Sequence, residues 1–371
     1  MLKTLRRFEL TDTDEGLGMS RRTRLALIVG FVAGSVLAAA FWRRQIPALL
    51  MRARPYDRRR SNVTNPVLII NRWSGDGKAE DYKLEEAAKR AGARTIMLER
   101  GDDLAQLAHD AISTGADAIG MAGGDGSLGL VAGVAIERGV PFFCIPVGTR
   151  NHFALDLGLD RDDPLSALEA LRDGDEIRID YAVAGTRVFL NNVSFGVYAQ
   201  AVHREGYREE KEETLAAVFR EVAADPEAQA RIRYATPNGE RHERAPLLLV
   251  SNNVYRMSGP PDFGRRLTLN AGKLGVGAVT SLPKDEDLRS IRLDQLRTLH
   301  QWDTTSLRLE SDEPILAGFD GEALVFESPL DLSVRPKGLR ILVPAGTRPG
   351  FVPRGEAVAT RFVDMATTGA R

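Results

Sequence analysis

The chain of 371 residues contains one cysteine, five histidines and only 6% aromatic residues. A single cysteine excludes an intramolecular disulfide framework and a Cys-rich zinc site. Cys144 lies in the apolar run VPFFCIP and reads as a buried structural thiol, and nothing in the cysteine usage points to an oxidising compartment. Four of the histidines (His109, His203, His242 and His300) have no ligand-like spacing and read as surface residues. No basic patch interleaved with aromatics occurs in the body of the chain, which argues against a nucleic-acid partner. Internal repeats are absent as well. Neither GxxxxGK[ST] nor GxGxxG follows the first apolar strand, so a P-loop or an ordinary dinucleotide fingerprint is disfavoured.

What remains is ordinary globular material, 43% hydrophobic and 27% charged, with length enough for two cores. The net charge of −1 conceals an asymmetry. Residues 1–60 hold 13 Lys/Arg against 5 Asp/Glu, net +8, leaving 37 against 46, net −9, for residues 61–371. A basic N-terminal segment on an acidic body suits an anionic membrane surface. Within it, residues 25–42 (LALIVGFVAGSVLAAAFW) are uncharged and bracketed by Arg24 and Arg43-Arg44. Eighteen helical residues span about 27 Å, enough to cross a bilayer core with help from the flanks. Gly30 and Gly34 form a GxxxG pair that would let two copies approach as a homodimer, and Trp42 sits where an interfacial aromatic belongs. A retained anchor is the expectation. A cleaved twin-arginine signal (SRRTR before, AAA after) and an interfacial or buried helix are the alternatives. Residues 43–64 read as a juxtamembrane linker.

From residue 66, short apolar strands alternate with helical stretches: PVLIIN, DYKLEEAAKRAG, RTIML, DDLAQLAHDAISTG, ADAIGMAG, SLGLVAGVAIERG and VPFFCIP. This pattern predicts a parallel sheet covered on both faces over residues 61–175. Beyond about residue 176 the texture changes to strand-like runs separated by turn signals: IRIDYAVAG, TRVFLNNVSFG, APLLLVSNNV, KLGVGAVTSL, TSLRLES, EPILAGF, EALVFES, LDLSVRP and LRILVP. They predict a mostly antiparallel β-sandwich over 176–345, interrupted by helical insertions near 204–231 and 284–300, with a weakly patterned tail at 346–371. The fold class is therefore α/β, a parallel-sheet domain followed by a sandwich.

Three Gly-rich loops follow three strand ends: NRWSGDGKA (71–79), GGDGSLG (123–129) and PVGTRNHFA (146–154). In a parallel sheet these ends share one edge, so the loops are expected to converge on one crevice. Glycines let backbone N–H groups approach phosphate oxygens, and the helix expected to begin near Ser127 points its positive end there. Ser74, Ser127 and Thr149 add hydroxyls, and Lys78 adds charge. GGDG by itself is more often a tight connection between strand and helix than a nucleotide loop. Asp125 is placed to hold Mg²⁺ through water. Far along the chain, Asp320-Gly321-Glu322 reads locally as a type I′ hairpin turn, while its two carboxylates could also serve a hydroxyl nucleophile and a metal.

The ordered set NRWSGDG, GGDGSLG, PVGTRNHFALDLGL, IDYAV, SNN and FDGE resembles the catalytic region of the diacylglycerol kinase and sphingosine kinase family of lipid kinases, over about residues 66–345. The resemblance implies an N-terminal domain akin to phosphofructokinase and NAD kinase, a lipid-receiving sandwich, and ATP with Mg²⁺ in the cleft between them. It implies that Asn71, Arg72, Trp73, Ser74 and Gly75 line the nucleotide. The same holds for Gly123, Gly124, Asp125, Gly126, Ser127, Leu128, Gly129 and Leu130, and for Gly148, Thr149 and Asn151. Asp125 and Asp180 would belong to the metal network, and Asp320 and Glu322 match the pair that supplies the general base. The family usually has Asn-Asp where this chain has Asn151-His152, and a structural Asp-Asp-Gly metal site reads here as Asn270-Ala271-Gly272.

The function implied is an ATP- and Mg²⁺-dependent lipid kinase of phospholipid metabolism, with diacylglycerol as the default acceptor. It would be anchored by one span in the cell membrane, its catalytic domains on the cytoplasmic side where ATP is. An NAD-kinase-like enzyme and a catalytically silent lipid- or nucleotide-binding homologue are the alternatives.

Overall fold

A computed structural model describes residues 56–149, 151–207, 210–256, 265–282 and 298–350. The apolar segment 25–42 lies outside them. No helix among the described residues is long and apolar enough to cross a membrane.

The first layer forms as the alternation of apolar strands and helices requires. β1 (Pro66–Ile70), β2 (Arg94–Met97), β3 (Ala118–Gly123) and β4 (Phe142–Pro146) are parallel, in the order β2-β1-β3-β4. β1, β3 and β4 are buried along their whole length, as strands covered on both faces must be. α1 (Leu84–Arg90) follows β1. The expected helix from residue 81 is interrupted because Lys83 is left-handed, φ 48°, after a separate turn at Lys78–Asp81. α2 (Leu104–Ser113) is N-capped by Asp103, whose carboxylate accepts from the amides of Ala105 and Gln106. α3 (Asp125–Arg138) ends at Gly139, φ 68°, and α4 (His152–Leu157) at Gly158, φ 84°.

The second layer begins on the long β5 (Gly174–Ala184), followed by β6 (Arg187–Phe189) and β7 (Asn192–Gly196). α5 (Val197–Val202) and α6 (Lys211–Ala224) come next, then β8 (Leu247–Asn252), β9 (Leu274–Val279), β10 (Leu299–Thr304), β11 (Ser306–Leu309), β12 (Ile315–Phe319), β13 (Glu322–Phe326) and β14 (Leu330–Pro344). β10-β9-β8-β7-β12-β13 form an antiparallel sheet. It packs on Ala182, Ala184, Leu330, Leu332 and Val334, at the overhanging ends of β5 and β14, giving a second core. α5 and α6 cover its opposite face.

Three expectations are corrected. LDLSVRP and LRILVP are one strand, β14, which bulges between Arg335 and Leu339. Its far half returns to the first layer, pairs antiparallel with β5, and joins β4 in parallel through Ile341 and Phe142, so Leu339–Val343 lie in the first core. Leu299 and His300 start β10 rather than ending a helix, and residues 283–297 of that insertion lie outside the described residues. His203 is not a surface residue: its Nε2 is 3.3 Å from the Ala317 carbonyl oxygen and 3.1 Å from that of Leu324.

Cys144 is in the first core as expected, 2% exposed, and burial followed by the nearby Asp125 charge pushes its thiol well above the usual range. The native protein should therefore resist iodoacetamide at neutral pH and take one equivalent only when unfolded. Rapid alkylation in the folded state, read by mass spectrometry, would contradict that placement.

Candidate active site

The three Gly-rich loops meet backbone on backbone. Asn71 N–H donates to the Ala122 carbonyl at 3.0 Å, tying the first loop to the end of β3. Gly75, at φ 62°, lies against the Val147 carbonyl, where a Cβ would fall 2.2 Å from the oxygen. A Cβ on Gly148 would fall 2.6 Å from the Gly124 Cα, and Gly148 N–H donates to the Gly123 carbonyl at 3.2 Å. Asn151, buried and left-handed at φ 51°, locks the third loop: its Oδ1 accepts from Gly148 N–H (3.0 Å) and its Nδ2 donates to the Gly148 carbonyl (2.6 Å).

α3 starts at Asp125, two residues before the expected position, with Gly124 as its N-cap and no side chain capping its first amides. Nothing lies within 4 Å of a Cβ built on Gly124. An uncapped helix N-terminus facing open space, on a chain that bends with no side chain in the way, fits a phosphate. Ser127 Oγ donates back to the Gly124 carbonyl at 2.9 Å. Leu128 is wholly buried in the first core and serves packing, while Leu130 and Trp73 are exposed. Arg72 pairs with Glu99 at 3.2 Å, and the Arg100 guanidinium lies 5.6 Å from the Trp73 ring centre. Thr149 is half-buried at the rim.

The distant Asp320-Gly321-Glu322 reaches this edge. Asp320-Gly321 is the two-residue turn joining β12 and β13, with φ 44° at Asp320 and 93° at Gly321, the left-handed pair a type I′ turn needs, and Glu322 opens β13. The turn sits on the first two turns of α3. A Cβ at Gly126 would lie 3.2 Å from Glu322 Oε1, and one at Gly129 would lie 3.3 Å from Asp320 Oδ2. Gly126 and Gly129, three residues apart and therefore on one helix face, clear room for the carboxylate turn.

Asp320 is held by three successive amides: Leu190 N–H to Oδ2 (2.9 Å), and Asn191 N–H and Asn192 N–H to Oδ1 (3.0 and 2.9 Å). That is why TRVFLNNVSFG, expected as one strand, breaks into β6 and β7 at Leu190-Asn191. Burial outweighs these three donors, and with the Asp125 charge adding to it the Asp320 pKa is pushed up to about 6. The Asp125 carboxylate accepts from His152 N–H and Phe153 N–H (both 3.1 Å) at the start of α4, and from Asn191 Nδ2 (3.1 Å). Asn191 therefore holds both acids, Asp320 through its backbone and Asp125 through its side chain. His152 contributes its amide to this arrangement.

Asp180 is fully buried, and its carboxylate accepts from Gly272 N–H (2.5 Å) and Lys337 N–H (2.8 Å), at the 270–272 loop and the β14 bulge. Desolvation raises its pKa against these donors. Among the described residues no three His, Cys, Asp or Glu side chains gather into a metal cage. Asp125, at the uncapped helix start and tied to Asp320 through one asparagine, instead fits a divalent cation that completes its shell with phosphate oxygens and water.

Asn191, Asp156 and Arg266 were missed from sequence. Their signals were faint: the NN at a strand break, an isolated acid in the apolar FALDLGL, and an Arg with no evident partner.

The family profile described as Diacylglycerol kinase catalytic domain matches residues 65–184. A diacylglycerol kinase of Mycobacterium tuberculosis is 32% identical over 120 residues, 31% of this chain and 39% of the relative, so the match spans about two fifths of that relative's length. A probable lipid kinase YegS-like of Chromohalobacter salexigens is 24% identical over 282 residues, 71% of this chain and 88% of the relative. Two solved structures of Bacillus anthracis proteins named as diacylglycerol kinases align with TM-scores of 0.61 and 0.54, at 18% and 15% identity. They cover 78% of this chain and 98% and 100% of theirs. Residues 65–184 thus match the diacylglycerol kinase catalytic domain profile, within a fold shared with those Bacillus proteins.

Proposed function

We propose that the protein is an ATP-dependent lipid kinase that transfers the γ-phosphoryl group to a lipid hydroxyl, with a diacylglycerol as the default acceptor. The observation that carries this reading is the seating of Asp320 and Glu322 on the Gly126/Gly129 face of α3, beside the open N-terminus at Gly124. A type I′ turn needs no such partner. Two carboxylates brought to a phosphate loop supply a base and a second acid for a hydroxyl nucleophile.

In this reading the amides at the start of α3 and the backbones of the 71–75 and 146–148 loops bind and orient the triphosphate. Asp320, its pKa raised toward neutrality, accepts the proton of the acceptor hydroxyl as that oxygen attacks in line. Glu322 holds the hydroxyl in place. Mg²⁺, which Asp125 would hold with phosphate oxygens and water, would neutralise charge on the transferring group. Asp180, locked on two amides, supports the walls of the site. A cavity of about 240 Å³ beside Tyr255, lined by Val254, Val276 and Trp302 together with the polar Ser251, Gln301 and Asp303, is offered for the acceptor. The uncharged segment 25–42 supports a membrane location, on sequence alone.

The test is purified full-length protein with labelled ATP, Mg²⁺ and vesicles carrying diacylglycerol, sphingosine or ceramide, with NAD as a parallel acceptor. Label in a phospholipid product is expected. Label in NAD and in no lipid would replace this reading with an NAD-kinase-like one, and ATP binding without transfer would mark a silent homologue.

A further inference from the structure

Arg266 is 0% exposed, and every edge of its guanidinium is engaged. Nε donates to Asp156 Oδ2 at 2.6 Å, Nη1 to the carbonyls of Leu190 and Asn252, and Nη2 to Asn191 Oδ1 at 2.8 Å. The group also lies 5.6 Å from the centre of the Tyr255 ring. A buried ion pair is a poor way to gain stability, since apolar residues of the same volume often do as well or better. The direction of its bonds is more informative.

Asn191 is 4% exposed, and its amide has two ends of the same shape and opposite hydrogen-bonding character. Guanidinium only donates, so Arg266 forces Oδ1 toward itself and turns Nδ2 toward Asp125 Oδ1. The reversed amide would set donors against donors at Arg266 and an oxygen against the Asp125 carboxylate. The other two donors on Asp125 are the first amides of α4, and the helix that carries them also carries Asp156, the ion-pair partner of Arg266. All three hydrogen-bond donors seen on Asp125 therefore trace back to one buried cation.

We propose that Arg266 is a positioning residue for this site: acting through Asn191 and Asp156, it aims the Asp125 carboxylate and so sets the affinity for a divalent cation there and the rate of transfer, without touching nucleotide or lipid. The part concerning rate rests on the lipid kinase reading above, and the part concerning cation affinity does not. Partners one step removed from a metal-binding carboxylate typically change affinity or activity by about 10- to 100-fold.

The test uses the full-length protein and the variants Arg266→Lys, Asn191→Ala and the two combined. The paired change Arg266→Met with Asp156→Leu is added because it removes both buried charges and keeps a folded protein if lysine does not. Magnesium is titrated against nucleotide binding by calorimetry with ADP, kcat and KM are measured for phosphoryl transfer, and thermal stability is recorded.

Each variant should need about tenfold more Mg²⁺ for half-maximal nucleotide binding and lose about tenfold or more in kcat, with KM for the lipid unchanged. The Arg266→Lys/Asn191→Ala combination should lose no more than the worse single variant, since both act on one carboxylate. Wild-type magnesium dependence in Arg266→Lys or in the paired variant, or losses that multiply in the combination, would overturn the proposal. If the wild-type protein phosphorylates no lipid, the kinase reading falls and the magnesium titration still decides the role of Arg266. If nucleotide binding by the wild type shows no dependence on Mg²⁺, the proposal for Arg266 falls and the kinase reading still stands or falls on the lipid assay.

Discussion

Asp320→Asn is expected to lower kcat for phosphoryl transfer by about 10³-fold while leaving ATP affinity within a few-fold. The side chain stands at the turn between β12 and β13, and its contacts are to the amides of Leu190, Asn191 and Asn192 rather than to the loops proposed to bind ATP. The amide oxygen can keep Asn191 N–H and Asn192 N–H, but its NH₂ would face Leu190 N–H, donor against donor. That mismatch in a buried place costs about 1–3 kcal/mol. Set against it, the substitution removes a carboxylate that the fold holds at a disadvantage. The folded-state pKa of about 6 is above the ordinary aspartate value, so Asp320 contributes stability below the unfolded pKa of about 4 that is lost as pH rises through 6. Thermal melts of the wild type and Asp320→Asn should therefore converge or cross between pH 4 and 6, the wild type losing ground as pH rises. The wild-type kcat/KM should fall on the acid side of about pH 6, where the base is protonated. Transfer by Asp320→Asn within tenfold of wild type would remove Asp320 as the base.

Gly75→Ala should damage both fold and nucleotide binding. Alanine in the left-handed region costs about 1–2 kcal/mol, and its Cβ would sit 2.2 Å from the Val147 carbonyl oxygen, a backbone atom that no rotamer change can move. The first loop must lift from the third, and the third rests on Gly123 and Gly124. We expect a loss of about 2–3 kcal/mol in stability and at least a tenfold loss in ATP affinity, read by denaturant melts and calorimetry. Gly124→Ala separates the two effects. Its φ of −87° suits alanine and its Cβ meets nothing within 4 Å, so stability should change by no more than about 1 kcal/mol, the scale of an N-cap substitution. Its methyl would instead occupy the space proposed for phosphate. Undiminished ATP affinity in Gly124→Ala would place the nucleotide elsewhere.

Much of this arrangement was readable residue by residue. Apolar runs bounded by glycine and charge foretold β1, β3, β4 and their helices, because burial on both faces demands uninterrupted apolar sequence. Asp320-Gly321 as a turn was readable because a turn is decided within three or four residues. The convergence of the three loops followed from parallel strands alone, since strand ends on one edge cannot be far apart.

Other features lay outside any local reading. That Gly126 and Gly129 make room for Asp320 and Glu322 depends on packing between residues nearly two hundred apart. The return of β14 to the first sheet, the break at Leu190-Asn191, and the Arg266–Asn191–Asp125 chain were decided in the same way. Each is a buried polar or backbone group seeking its partner, and a buried donor or acceptor must find one wherever the fold places it. Sequence by itself determined which elements form and which loops share an edge. Tertiary structure alone decided which carboxylates face that edge and what holds them there, because hydrogen bonds across the core obey geometry and leave no period in the chain.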